Sequence, residues 1–452
     1  MNDIKIDFGV CSGCKTCYKA RFVGRPVVSI EEPSALLLAA FRHALEEVAP
    51  EKVLPPALPS PPRGRTVVVG AGKAAASMAR AVEANWPGEL SGMVVTRYGY
   101  GLECERIKVV EAAHPVPDGA GLAAAQEILG LVSGLTEDDL VIALLSGGGS
   151  SLLPLPVGQV TMEDKRSLTS QLLRAGATIN EINSVRKHLS GVKGGRLAQA
   201  CSPARVVNLL ISDVVGDDPS SVASGPAVAD PSTLADARYV LEKYGVAASD
   251  AVLGHLLADE SETPKPGDAC FARVSTSIIC SSQVFLESAA RFLAGRGMDP
   301  VILSNSVEGE STDVALVYAA IARQVARYGQ PVEAPCVLLS GGETTVTVRG
   351  SGRGGPNGEF LLALALALGE EVDYAAIACD TDGVDGVSEV AGAIARTDTL
   401  GRARAAGLDA RRMLRANDSH SFFGELGDLV VTGPTYNNVN DFRALLVLPL
   451  IR

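Results

Sequence analysis

An α/β protein of two domains is the fold class this sequence predicts, and three observations carry it. The chain has 452 residues, more than one hydrophobic core ordinarily organises. Short apolar runs ending in glycine or aspartate alternate with helical patterns, which is how the strand–helix–strand units of a largely parallel sheet read. The alternation breaks at "SETPKPGD", residues 261–268, and resumes beyond it. These features predict a Rossmann-like, largely parallel sheet in an N-terminal domain over 31–265 and a mixed-sheet α/β domain over 266–452. Residues 1–30 are left as an extension of no assigned role.

Composition narrows the function. Acidic residues outnumber basic ones by 52 to 40, a net charge of -12, which argues against nucleic acid as a partner because phosphate binding needs a surplus of Lys and Arg. Nine cysteines, an odd number without a secretory leader, point to reduced thiols and a cytoplasmic protein. The longest apolar stretch, "FLLALALALG" (360–369), falls short of the ~20 residues that span a bilayer. It reads as a buried helix, and no membrane association is expected.

The elements follow in order. Cys11, Cys14 and Cys17 in "CSGCKTC" have the spacing that opens an iron–sulfur ligand run, but the fourth cysteine and its proline are missing and no His lies close by for zinc. A dispensable extension or a misassigned start is therefore the preferred reading over a metal site. An Ala/Leu-rich helix begins at Pro33, and the proline-rich "PPALPSPPRGR" links it to "TVVVGAGKAAASMARAVEA", read as strand, tight turn and helix. Strands follow in "GMVVTR", "IKVVEA", "LVIALLSGG" and "RVVNLLISD". Beyond the break come "VSTSIICSS", "DPVILSN", "PCVLLSGG", "TTVTVRG", "YAAIACDTDG", "DLVVTGPT" and "ALLVLPL". "TTVTVRG" follows its predecessor too closely for a crossover helix, so an antiparallel pairing is expected.

Four places look chemical. "VVVGAGKAA" fails the Walker A pattern yet satisfies G-x-G-x-x-A through Gly70, Gly72 and Ala75. With Arg97 at the end of the next strand, an NADPH site is one reading; a packing turn and a Lys73 charge aimed at an anion are the others. In "SGGGSS" the glycines let backbone amides approach a ligand, and Ser146, Ser150 and Ser151 add hydroxyls, which suits a carboxylate or phosphate cradle. "NSVRKHLSGVKGGRLA" concentrates Arg186, Lys187, His188, Lys193 and Arg196 in an otherwise acidic protein. Arg186 suits bidentate carboxylate binding, and His188 reads as structural. "ISDVVGDDPSS" carries Asp213, Asp217 and Asp218 past a strand's end, where α/β folds bind ligands.

Together "GAGKAA", "AHPVPD", "SGGGSS", "NSVRKHLSGVKGGRLA", "ISDVVGDDPSSVASGP", "LSGGETTVTVRGSGRGGPNGEF", "DTDGVDG" and "TGPTYNNVND" resemble the class II D-glycerate 2-kinase family, in family order over roughly residues 34 to 445. The C-terminal half of that family is known as the MOFRL domain. The resemblance implies an active site in a cleft between two α/β domains and ATP-dependent, Mg²⁺-assisted phosphorylation of the 2-hydroxyl of D-glycerate. It implies Lys73 as charge neutraliser, Asp213 as the group that orients or deprotonates the hydroxyl, Asp217 on the metal and Glu343 from the second domain. Substrate would rest on Ser146, Gly147, Gly148, Gly149 and Ser150 with Arg186, and nucleotide phosphates on Lys193, Arg196, Arg353 and Asn357. Many members read G-R-G-G-R-N-Q-E where this chain has "GRGGPNGEF", so Pro356 stands in place of an arginine whose role would be vacant or pass to Arg353 or Arg349. Relatives labelled hydroxypyruvate reductase, sometimes in tartrate utilisation, supply a rival, as does a non-catalytic metabolite-binding protein. A monomer or homodimer is expected.

Overall fold

In the computed structural model the described residues are 18–20, 28–30, 32–386 and 388–449, and the chain forms two compact units. The first comprises Ala49–Ser281 with the return segment Tyr436–Val439; the second comprises the described residues up to Val48, Ser282–Thr435, and the described residues from Asn440 onward. Cys11, Cys14 and Cys17 lie outside the described residues.

The first unit is built on six strands: β1 (Thr66–Ala71), β2 (Ser91–Arg97), β3 (Ile107–Ala112), β4 (Leu140–Leu145), β5 (Arg205–Ile211) and β6 (Val274–Cys280). All pair in parallel, in the order β3-β2-β1-β4-β5-β6. This is the doubly wound order, with its reversal between β1 and β4, the point where such sheets leave a ligand crevice at the strands' carboxyl ends. β1 and β4 are buried along their whole length, which is why "TVVVGA" and "LVIALL" are unbroken apolar runs without alternation.

Beside this sheet stands a separate helical core in which Leu168, Leu172, Val185, Leu189, Val240 and Leu256 pack together. Three of its helices start with the same device. Thr161, Thr178 and Thr233 each cap a helix N-terminus, and Asp164, Glu181 and Asp236 three residues on reach back to the capping amide. The helices Met162–Arg174 and Ile179–His188 so fixed carry Lys165 and Arg186.

The second unit holds a mixed sheet of β7 (Asp299–Ser304), β8 (Cys336–Ser340), β9 (Tyr374–Asp380), β10 (Gly392–Arg396), β11 (Leu429–Val430) and β12 (Asp441–Val447), in the order β11-β10-β9-β12-β8-β7. Only β7 and β8 run parallel; β12 lies antiparallel to both neighbours. The "FLLALALAL" run is the helix Pro356–Leu368, nearly all of it buried, starting on Pro356 at a first-turn position where a missing amide hydrogen costs nothing. No described helix is long and apolar enough to cross a membrane.

Three expectations change. "VSTSIIC" is the sixth strand of the first sheet, so that unit ends at Ser281 and not at residue 265. The Pro33–Glu47 helix belongs to the second unit, because Phe41 is fully buried against Phe442 and Phe285, at ring-centroid distances of 5.6 Å and 5.9 Å. "TTVTVRG" forms no antiparallel strand. Only Thr344–Thr345 pairs, in parallel with Gly309–Glu310, and side chains take the next amides. Glu310 accepts from Thr347 N at 2.9 Å, and Asn417 Oδ1 accepts from Arg349 N at 2.7 Å.

Candidate active site

The two glycine corners after β1 and β4 lock onto each other across the switch point. Lys73 N donates to Gly147 O at 2.8 Å, Ser146 N donates to Ala71 O at 3.1 Å, and Ser146 Oγ accepts from Ala74 N at 3.1 Å. Ser146 is fully buried, so its hydroxyl is a brace between the loops and not a substrate ligand. The same hydroxyl fills the crevice a pyrophosphate would need. A Cβ on Gly72 (φ 143°) would lie 2.1 Å from it, and the Ala74 amide it occupies opens the helix Ala75–Asn85. The G-x-G-x-x-A match is therefore a packing turn.

What the braced loop presents is a carboxylate beside open amides. Asp213, two residues beyond β5, accepts a hydrogen bond on Oδ2 from Asn438 Nδ2 at 2.9 Å. Gly147 lies so close to this pair that a Cβ would meet Asp213 Oδ2 at 1.8 Å and Asn438 Nδ2 at 2.1 Å. Among the described residues, no acceptor takes the Gly147 or Gly148 amide. Gly148 is left-handed (φ 81°), with the position of its missing Cβ 3.0 Å from the His114 ring and 3.4 Å from Lys73 Cγ. Gly149 is equally confined, its Cβ position 2.7 Å from the Ala223 methyl. Two backbone amides, the Lys73 stem and the His114 ring thus surround one turn, with the Asp213 carboxylate at its edge. Unclaimed amides at a glycine turn are the kind of group that binds anions.

Arg186 reaches the same loop from the Ile179–His188 helix. Its Nη2 donates to Ser150 Oγ at 2.7 Å, and Ser150 Oγ lies 2.9 Å from Ser224 Oγ. The guanidinium also lines a cavity of about 640 Å³ together with Lys193 and Lys165. Burial first, then the Lys165 and Arg186 charges, hold Lys193 well below an ordinary lysine. Burial and the Arg186 charge pull Lys165 down to about 7. Arg196 is spent elsewhere: it donates to the carbonyls of Lys187 at 3.4 Å and Ser261 at 2.6 Å, so it ties helices together. His188 is structural as expected, buried between Ser184 O at 2.7 Å and Glu262 Oε1 at 2.8 Å.

The acidic loop divides its labour. Asp218 accepts from Ser220 N, Ser220 Oγ and Ser221 Oγ, and is a turn-builder. Asp217 adopts a left-handed φ of 52° four residues after Asp213. Among the described residues no three His, Cys, Asp or Glu side chains converge as a metal cage. Mg²⁺ ordinarily takes only one or two carboxylates beside waters and substrate phosphates, so the lack of a three-carboxylate cage does not speak against Asp217 as a candidate.

In the second unit Glu343 and Arg353 are exposed. Asn357 is buried, and its side-chain amide is committed to Asp441 Oδ1 at 2.6 Å, with Asp385 Oδ1 at 3.4 Å. Burial raises the Asp385 carboxyl to about 7 in spite of the Asn357 and Gly358 amides it accepts. Asn357 is therefore an internal tie and no ligand for phosphate.

Residues 36–257 match the family described as a domain of unknown function (DUF4147), and residues 336–441 match the MOFRL family. The D-glycerate 2-kinase of Thermotoga maritima is 39% identical over 420 residues, covering 92% of this chain and 99% of its own. The chain belongs to the glycerate 2-kinase family. A crystal structure of glycerate kinase from T. maritima superposes with a TM-score of 0.83 at 38% identity, over 92% of this chain and 99% of that one. An Agrobacterium vitis protein with the provisional name hydroxypyruvate reductase is 50% identical over 415 residues, 91% of this chain and 94% of its own. Within the glycerate 2-kinase fold, sequence reasoning missed Asn438, His114, Ser224 and Lys165. The first two sit in the quoted motifs "TGPTYNNVND" and "AHPVPD", and Ser224 in "SSVASGP"; the lone Lys165 carries no local signal.

Proposed function

We propose that this protein transfers the γ-phosphoryl group of ATP to the 2-hydroxyl of D-glycerate, giving 2-phosphoglycerate and ADP. One observation carries the reading: a carboxylate, Asp213, is held by Asn438 against a glycine turn whose Gly147 and Gly148 amides have no acceptor among the described residues. The glycerate carboxylate rests on those amides, with Arg186 steadying the loop through Ser150. Asp213 takes the proton of the 2-hydroxyl as it attacks, a role general bases fill at ~10²–10⁴-fold in rate. Lys73, on the lip beside Gly148, offsets the charge on the moving phosphoryl group. Such transfer depends on positioning and charge more than on a covalent partner. Mg²⁺, held by Asp217 with the nucleotide's phosphates, would supply the remaining charge neutralisation.

The rival reductase reading loses the glycine motif it rested on, because Ser146 already occupies the Gly72 crevice and the Ala74 amide. One paired assay decides. Purified protein with D-glycerate, ATP and Mg²⁺ should form ADP and 2-phosphoglycerate, and should not oxidise NADPH with hydroxypyruvate. Reductase turnover without kinase turnover would overturn the reading.

A further inference from the structure

The cavity beside Arg186 has a composition that the acceptor site does not explain. It is lined by five cations, Lys165, Arg166, Arg174, Arg186 and Lys193, and by no carboxylate. Their hydrogen bonds go to neutral acceptors: Lys165 Nζ to Pro154 O at 3.0 Å, Lys193 Nζ to Leu153 O, Arg174 Nε to Ser170 O at 3.2 Å, and Arg186 to Ser150 Oγ. Arg166 donates to Pro117 O and so ties the Met162–Arg174 helix to the loop that forms the opposite wall. In a protein of net charge -12, five basic side chains line this cavity with no acid among them, and Lys165, Arg186 and Lys193 disfavour one another's charge there, a cost that a bound anion would relieve.

The remaining wall is apolar. Pro115, Val116, Met162 and Leu173 line it, and Val116 and Leu173 stay 62% and 60% exposed, an apolar rim with no protein partner over most of its surface. The volume of about 640 Å³ lies within the ~300–1,000 Å³ range of small-molecule sites and is several times what a three-carbon acid fills. Ser150, which lines the cavity and accepts from Arg186, stands two residues past Gly148, so the cavity borders the glycine turn.

We propose that this cavity seats the nucleoside triphosphate, with Lys165, Arg174, Arg186 and Lys193 taking the phosphate tail and Pro115, Val116, Met162 and Leu173 packing on the base. The assignment rests on the kinase reading above and adds the donor's place to it. The phosphate tail then points along Arg186 towards Ser150 and the acceptor hydroxyl.

The test uses the full chain and two rim variants whose exposure protects the fold, Leu173→Asp and Arg174→Ala, with the exposed Tyr239→Ala as a neutral control. KM for ATP should rise about tenfold or more in each rim variant, with KM for D-glycerate within about threefold of the parent. ADP affinity by calorimetry should weaken in step. A rise confined to KM for D-glycerate would assign the cavity to the acceptor, and unchanged ADP affinity in both variants would place the nucleotide elsewhere; either overturns the proposal. Parent protein that binds ADP yet phosphorylates no D-glycerate would end the kinase reading alone, leaving the ADP titrations to judge the cavity. Parent protein that binds neither ADP nor ATP overturns the cavity assignment itself.

Discussion

Gly147→Ala isolates the arrangement on which the chemistry depends. The added methyl would stand 1.8 Å from Asp213 Oδ2 and 2.1 Å from Asn438 Nδ2. An unstrained contact needs ~3.5 Å, so the carboxylate must retreat by about 1.5 Å or the glycine turn must shift by a similar amount. Either movement breaks the 2.9 Å bond between Asn438 and Asp213 or lifts the carboxylate away from the acceptor seat. A misplacement of ~1 Å costs about a hundredfold in rate, so kcat should fall at least that far. Overpacking itself costs ~1–3 kcal/mol, which for a unit of this size lowers Tm by roughly 2–12 °C. The variant should therefore stay folded at room temperature. Gly130→Ala is the matched control: nothing lies within 4 Å of its Cβ position on the Gly119–Leu131 helix, and it should keep full activity. The assay is steady-state ADP release with thermal denaturation alongside. A folded Gly147→Ala enzyme with kcat within about threefold of the parent would refute the placement of Asp213 at the reaction centre.

Other outcomes follow from the same geometry. Asp213→Asn keeps the side chain's shape but removes the base, and kcat should drop ~10²–10⁴-fold while D-glycerate still binds by calorimetry; retained turnover assigns the proton to another group. Ser146→Ala strips the Ala74 amide of its buried acceptor and should cost ~1–3 kcal/mol in denaturant unfolding, whereas an unchanged midpoint would deny the brace. The Lys165 amine, at about 7 among Arg166, Arg174, Arg186 and Lys193, is mostly neutral near pH 8 and regains its proton when phosphates bind. Calorimetry of ADP binding in buffers of different protonation enthalpy should then report proton uptake near pH 8 that shrinks towards pH 6, where the amine is already charged. Lys165→Gln should reduce that uptake, and equal uptake in both proteins would contradict the assignment.

Much of this protein is written locally. β1 and β4 are legible because strands buried on both faces need unbroken apolar runs, and the three Thr-capped helices because a capping box is a four-residue device. The doubly wound sheet follows from strand–helix alternation. The glycine corners are legible because close approach of backbone demands glycine, and among the described residues the Gly147 and Gly148 amides meet no acceptor. "TTVTVRG" misleads because its β-branched pattern is half of what a strand needs; beyond Thr345 no described strand pairs with it, and Glu310 and Asn417 take its amides.

Only tertiary packing decides the rest, because it joins residues that no spacing relates. Asn438 reaches Asp213 across 225 positions. Phe41 finds Phe442 at the other end of the chain and takes the Pro33–Glu47 helix into the second unit. Ser146, Arg196 and Asn357 have the side chains of ligand binders, yet the Ser146 hydroxyl is committed to Ala74, the Arg196 guanidinium to Ser261 and the Asn357 amide nitrogen to Asp441 inside the fold. The sequence alone determined the sheet, the glycine turns and the family. Which polar groups stay open to a ligand was decided by what folded over them, since a buried polar group must find a partner and only those left without one can offer it to a substrate.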